Sequence, residues 1–135
     1  IINSLNDTTD IQDFIKSNNR FFIKNNITDI TVLTDSFSNA QIHFAYPQVE
    51  CCGKHIVFTQ GNYKKKPRPS KSEPVDYLVI TKDIIIHFAI VYNADTIVLP
   101  QEIYPTKLIE FHQEAESCNI AYYDMKQKGA LIHNE

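Results

Sequence analysis

The sequence predicts an α/β fold in which a mostly parallel sheet is flanked by helices and extended by antiparallel strands from the N-terminal half. Apolar runs of strand length alternate with amphipathic segments over residues 75–132, which is the pattern of β-α-β winding. Before residue 60, polar and apolar residues alternate in short runs, as half-buried antiparallel strands require. Because 135 residues suit one domain, we expect a single α/β domain over residues 1–135.

The N-terminal half begins with a predicted helix. Apolar residues recur at helical spacing between Ile11 and Phe22, which indicates one buried helix face. Asn25 and Asn26 are suitable residues for its end. The apolar run at residues 27–33 then predicts a strand.

The next segment, residues 40–59, predicts a hairpin with an irregular loop. Side chains alternate between apolar and polar at residues 42–46, which predicts a half-buried strand that Pro47 ends. A turn at Gly53-Lys54 leads into a second strand at residues 55–59.

The C-terminal half predicts strands and helices in alternation, after a proline-rich stretch at residues 60–74. Asp83 suits the N-cap of the first helix, and Pro105 suits the first helical position of the second. The predicted strands are residues 75–80, 96–99, 120–123 and, at an edge of the sheet, 130–133. The predicted helices are residues 83–93 and 105–118.

Charge and hydropathy exclude some classes of protein. Thirteen basic and sixteen acidic residues give a net charge of −3, which argues against a dedicated nucleic-acid binder but allows a local basic patch. No apolar run approaches the roughly 18 residues of a membrane span. The chain starts at Ile1 instead of Met, so we expect a domain excised from a longer protein.

The strongest charge signal is the basic segment, residues 64–71. It holds five of the thirteen basic residues and follows a tyrosine. Such a segment predicts a DNA contact, in which cations follow the phosphates and the aromatic ring stacks on a base. A solvated loop is the alternative, which charge runs more often represent. The candidate contact residues are Tyr63, Lys64, Lys65, Lys66, Arg68 and Lys71.

No catalytic residue, metal site, cofactor or small-molecule ligand is predicted. The five histidines lack the spacings at which two of them meet one ion, and we expect His112 to be a half-buried structural residue of its helix. Cys51 and Cys52 beside His55 are poor co-ligands because adjacent strand residues point to opposite faces. With three glycines in the chain, no phosphate-binding loop or nucleophile elbow is formed.

Several short motifs occur in a fixed order in the C-terminal half. They are VDYLVI at 75–80, TIVLP at 96–100, ESCNI at 116–120 and KGAL at 128–131, preceded by GKHIVF at 53–58. In order and spacing they resemble the C-terminal soluble region of ComEC-type competence proteins, particularly those of Bacteroidetes. The resemblance implies a domain of an inner-membrane DNA-uptake protein, exposed on the periplasmic side beside the membrane-embedded remainder of its parent.

In many members of that family the region resembles a metallo-β-lactamase domain, with a T-H-x-D-x-D-H turn after the strand. Here Thr81 and His87 match the turn, but Lys82 takes the place of the first histidine, and Ile84 and Ile86 take the acidic places. One histidine cannot hold a catalytic zinc, which needs about three protein ligands. The resemblance therefore implies a partial or degenerate metallo-β-lactamase-like fold without the hydrolytic chemistry.

We therefore expect a non-catalytic accessory domain of a ComEC-like DNA-uptake protein, which supports the channel or contacts DNA. Two alternatives remain open. One is a metal-dependent nuclease or hydrolase fragment that a missing segment completes, and the other is a protein-interaction module unrelated to DNA. Metal content and DNA binding distinguish the three.

Overall fold

The structure, a computed structural model, describes residues 8–28, 36–59, 63, 71–81, 87, 91–101, 103–129 and 131. The helices in these ranges are α1 Thr8–Ser17, α2 Asn19–Lys24, α3 Pro105–Ser117 and α4 Met125–Lys128. The strands are β1 Phe37–Ser38, β2 Ile42–Ala45, β3 Gln48–Cys51, β4 Lys54–Phe58, β5 Glu73–Val79, β6 Tyr92–Leu99 and β7 Ala121–Asp124.

The seven strands form one sheet whose spatial order follows the chain order. Strands β1 to β4 pair antiparallel, and strands β4 to β7 pair parallel. The predicted α/β class and the antiparallel strands of the N-terminal half are confirmed. The sheet is not mostly parallel, because three of its strand pairs are antiparallel and three are parallel. The difference arises because the N-terminal half also forms β1 and β3, which the sequence did not reveal.

Strand β3 lies where the sequence predicts an irregular loop. The turn Tyr46-Pro47 joins it to β2, and the turn Cys52-Gly53 joins it to β4. Cys52 and Gly53 have φ of 51° and 70°, as the two central residues of a type I′ hairpin turn require. Pro47 therefore reverses the chain without ending the sheet, and its carbonyl accepts the Phe58 N–H at 2.9 Å.

The predicted N-terminal helix is two helices, which separate at Asn18. The backbone N–H and the side-chain amide of Asn18 both donate to the carbonyl of Phe14, at 3.0 and 2.8 Å. This local bonding competes with regular helical geometry, and Asn18 has a φ of −103°. Helix α2 ends before Asn25, as predicted. The strand predicted at residues 27–33 lies almost wholly outside the described residues.

Strand β6 is longer than the predicted strand at residues 96–99. Tyr92 and Ala94 are buried, whereas Asn93 and Asp95 are exposed, and this period of two belongs to a strand. The predicted helical end at Asn93 is therefore wrong. Residues 82–86 and 88–90 of that predicted helix, and most of the final strand predicted at 130–133, lie outside the described residues.

The main core lies between helix α3 and the parallel strands. Helix α3 begins at Pro105, as predicted, and buries Phe111 and Ala115. Each large apolar side chain buried there contributes roughly 1.5–3 kcal/mol, so this layer stabilises the packing of α3 on the sheet. The strand side of the core includes Val57, Val75, Leu78, Ile97 and Leu99, together with Ile80 just after β5.

The pairing of β4 with β5 joins the antiparallel half of the sheet to the parallel half. At one end of this pair, the Asp76 side chain on β5 bonds to two residues of β4. Its Oδ2 accepts the His55 N–H at 2.9 Å, and its Oδ1 lies 2.9 Å from Lys54 Nζ. The His55 N–H first, and then Lys54, lower the pKa of the Asp76 carboxyl below its ordinary value. Folding therefore favours the ionised form of Asp76.

We expect Asp76→Asn to destabilise the protein by roughly 1 kcal/mol at pH 7, because both bonds to the charged carboxylate are weakened. The folded-state pKa lies below that of the unfolded chain. The stabilisation is therefore complete above about pH 4 and is lost as the pH falls through the folded-state pKa. Urea unfolding at pH 7 and pH 3 measures the difference between wild type and variant. A difference that does not shrink at pH 3 contradicts the role of the charge.

Candidate functional site

The carboxyl ends of parallel strands are where α/β folds usually place their chemistry, and here two threonines join them. After β4 and β5, the Thr81 N–H donates to Thr59 Oγ1 at 2.9 Å, and the Thr81 hydroxyl donates to the Thr59 carbonyl at 2.6 Å. Thr59 is only 1% exposed. Thr81 thus joins the end of β5 to the end of β4.

His87 lies between β5 and β6 in the chain. Its Nδ1 lies 3.7 Å from Glu114 Oε2 on helix α3, and its side chain is 63% exposed. Residues 82–86, with Lys82, Ile84 and Ile86, lie outside the described residues. The geometry therefore places His87 beside a carboxylate of α3, at the surface.

A second polar pair lies at the end of β7. Asp124, 2% exposed, accepts the Lys126 N–H at 2.8 Å through Oδ1 and so caps helix α4. Its Oδ2 lies 3.9 Å from His112 Nε2, and neither atom has a hydrogen-bond partner within the described residues. The His112 ring stacks on Tyr122 with centroids 4.4 Å apart. His112 is thus half-buried, as predicted, and links α3 to β7.

The residues predicted to contact DNA are described only in part. Lys64, Lys65, Lys66 and Arg68 lie outside the described residues, and Lys71 is exposed. Tyr63 is half-buried against the core. Its hydroxyl lies 3.2 Å from the Tyr92 hydroxyl, and the two rings meet edge to face with centroids 6.1 Å apart. Burial and this hydrogen bond raise the pKa of Tyr92. The aromatic pair holds Tyr63, the residue before the basic segment, against the core.

Sequence spacing does not reveal a row of three ionisable side chains that the strand register aligns. His43 on β2 lies opposite Glu50 on β3, and Glu50 lies opposite His55 on β4. These residues line one open groove of about 350 Å³. The signal that could reveal the row is the pair of two-residue turns on either side of β3, because each turn fixes which residues face each other.

The cysteines are free thiols. Cys51 at the end of β3 and Cys52 in the following turn have Sγ atoms 3.8 Å apart. Across the described residues, no group of three or more His, Cys, Asp or Glu side chains could hold a metal ion. In the same residues, no helix is both long and apolar enough to cross a bilayer.

We expect Asp124→Ala to destabilise the protein by about 1–2 kcal/mol, because it removes the cap of α4 and the carboxylate beside His112. Asp124→Asn keeps an oxygen that can cap the helix and removes only the charge, so it is expected to cost less. Urea unfolding of both variants at pH 7 gives the comparison. Equal losses in both would show that the cap contributes nothing to the effect.

Comparison with known proteins identifies the family of the chain. The family model described as the ComEC C-terminal domain matches residues 1–135. No curated protein and no solved structure matches the chain, so the metallo-β-lactamase-like fold stays a prediction. The chain belongs to the ComEC C-terminal domain family, which is that of ComEC-type competence proteins.

Proposed function

We propose that this member of the ComEC C-terminal domain family is a non-catalytic accessory domain of an inner-membrane DNA-uptake protein. In this proposal it lies on the periplasmic side, beside the membrane-embedded remainder of the parent, and contacts incoming DNA through the basic segment. The observation that carries the proposal is the family match over residues 1–135. The proposal requires no cofactor and no small-molecule ligand.

The chemistry of the turn after β5 supports a non-catalytic role. A lysine ammonium and two isoleucines cannot coordinate a metal ion, and they stand at the ligand positions of the turn, as Lys82, Ile84 and Ile86. Thr81 bonds to Thr59, and a single histidine is left, whereas catalytic zinc needs about three protein ligands. Hydrolysis at this turn would need ligands from elsewhere.

The positions of the residues that flank the basic segment support contact with DNA. Before it, Tyr63 is held beside Tyr92. After it, Glu73 lies opposite Tyr92 at the start of β5. Both flanks therefore lie at the amino edge of the parallel strands, and the segment between them contains five cationic residues. Because the Tyr63 ring packs on the core, we assign the contact chiefly to cations and phosphates.

Charge reversal tests the DNA contact. We expect Glu at all five cationic positions of the basic segment to weaken binding to single-stranded and duplex DNA at least tenfold at 50 mM salt. The slope of log K against log salt should also fall by roughly 0.7–0.9 for each phosphate that the variant no longer neutralises. Fluorescence anisotropy across a salt series measures both. The substituted residues are Lys64, Lys65, Lys66, Arg68 and Lys71.

A matched variant controls for net charge, because general repulsion weakens DNA binding wherever the charge is added. It reverses five exposed cations outside the basic segment and changes the net charge equally. Binding that falls as much in this control, or that survives reversal of the segment, contradicts a specific contact. The control residues are Lys16, Arg20, Lys24, Lys126 and Lys128.

A cleavage assay tests the non-catalytic role. We expect the domain incubated with Mn²⁺, Mg²⁺ or Zn²⁺ to degrade labelled DNA no faster than His87→Ala does, because one retained ligand does not form a catalytic centre. Gel analysis of labelled strands over several hours measures the rate. Metal-dependent cleavage that His87→Ala abolishes would favour the nuclease alternative instead.

A further inference from the structure

We propose that Cys51 and Cys52 form a reversible redox site, at which the two adjacent thiols are oxidised to a disulfide and reduced again. Cys51 ends β3, and Cys52 lies in the turn that leads to β4. Both are thiols in the structure, and their Sγ atoms lie 3.8 Å apart. Because a disulfide bond is about 2.05 Å long, the two sulfur atoms have to approach by roughly 1.8 Å.

The hairpin turn brings the two thiols to one side. Adjacent residues of a regular strand point to opposite faces, so the sequence alone predicts side chains that diverge. Cys52, however, has a φ of 51°, in the left-handed region that few residues other than glycine adopt. With this backbone its Sγ reaches that of Cys51. Asn, Asp and Gly are the usual residues of such a turn, and an unusual residue in this conformation indicates a functional constraint.

The backbone of the pair is anchored on both sides. The Cys52 N–H donates to the Gln41 carbonyl at 3.0 Å, and Cys51 lies opposite Ile42 on β2 and Lys54 on β4. The two thiols are therefore held as neighbours by the sheet, and rotation of the side chains is what brings the sulfur atoms together. Cys52 is exposed and Cys51 half-buried, so an oxidant in solution reaches Cys52 first.

The chemistry needs an oxidant, for which a low-molecular-weight disulfide suffices. The Cys52 thiolate attacks one sulfur of that disulfide, whose S–S bond breaks, and a first thiol leaves. The Cys51 thiolate then attacks Cys52 Sγ, forms the Cys51–Cys52 bond and displaces the second thiol. The chain gives up two electrons and two protons, and the oxidant is reduced to two thiols.

The bond between neighbours is suited to a switch and not to a permanent crosslink. Adjacent Cα atoms are about 3.8 Å apart, whereas most disulfides join Cα atoms separated by about 4.4–6.8 Å. The bond is therefore strained, and strained, exposed disulfides are the easily reduced ones. It also closes almost no loop, so it stabilises the fold little through the entropy of the unfolded chain.

The compartment decides which form of the pair predominates. Disulfides persist in oxidising compartments such as the bacterial periplasm, so the periplasmic placement proposed above would favour the oxidised form. The redox chemistry itself depends neither on that placement nor on DNA binding. A failure of the redox site would therefore leave the proposed function standing, and the reverse also holds.

Peptide mass spectrometry of the folded chain, treated with excess oxidised glutathione at about pH 8 and then alkylated, tests the site. Trypsin cleaves after Lys24 and Lys54 and releases residues 25–54, which contain Cys51 and Cys52 and no third cysteine. We expect this peptide to be lighter by two hydrogen atoms, at least tenfold more abundant than its glutathione adduct, because the neighbouring thiol reacts intramolecularly. Excess reduced glutathione should restore both thiols.

Cys118→Ser is the matched control, because it removes the third, exposed thiol and should form the same bond to the same extent. Cys51→Ser and Cys52→Ser each leave one thiol of the pair and should retain a single glutathione. The proposal is wrong if the wild-type peptide keeps one or two glutathiones, if the disulfide formed joins Cys118, or if reduced glutathione does not open the bond. These results come from the wild-type chain, so they stand even where a variant is unfolded.

Discussion

The pairing of β4 with β5 is the interaction on which the rest of the sheet depends, because among the described strands it alone joins the antiparallel half to the parallel half. Polar side chains close it at both ends. At the amino end, the Asp76 carboxylate accepts the His55 N–H, and at the carboxyl end Thr81 bonds to the buried Thr59. Between them, the fully buried Val57 and Leu78 lie opposite each other.

The polar groups at the carboxyl ends of the parallel strands differ in role from those at the amino ends. The carboxyl edge holds polar groups that mainly support structure: Thr59 and Thr81 join two strands, and Asp124 caps α4. The amino edge holds polar groups that face solvent, among them Glu50 with no partner in the described residues. The flanks of the basic segment reach the same edge through Tyr63 and Glu73.

Sequence alone predicts well those helices and strands that show a regular pattern of apolar residues within their own length. Helix α3 has apolar residues on one face and Pro105 at its start, and β5 is a nearly continuous apolar run, so each needs no partner to be recognised. Strand β3 could not be predicted in this way, because its turns lack the Asn-Gly signal and Pro47 is a usual strand terminator. The register that aligns His43 with His55 is a property of two turns together, and residue spacing does not encode it.

Two kinds of interaction hold the end of β5. The hydrogen bonds of Thr81 join it to Thr59 at the end of β4, and Ile80 belongs to the apolar core that includes Phe111 and Ala115 of α3. Thr59 is buried, and a buried polar group costs free energy unless it is hydrogen-bonded. The threonine pair therefore satisfies its own polar atoms and joins the two strands at the same time, while the apolar core fixes the helix over them.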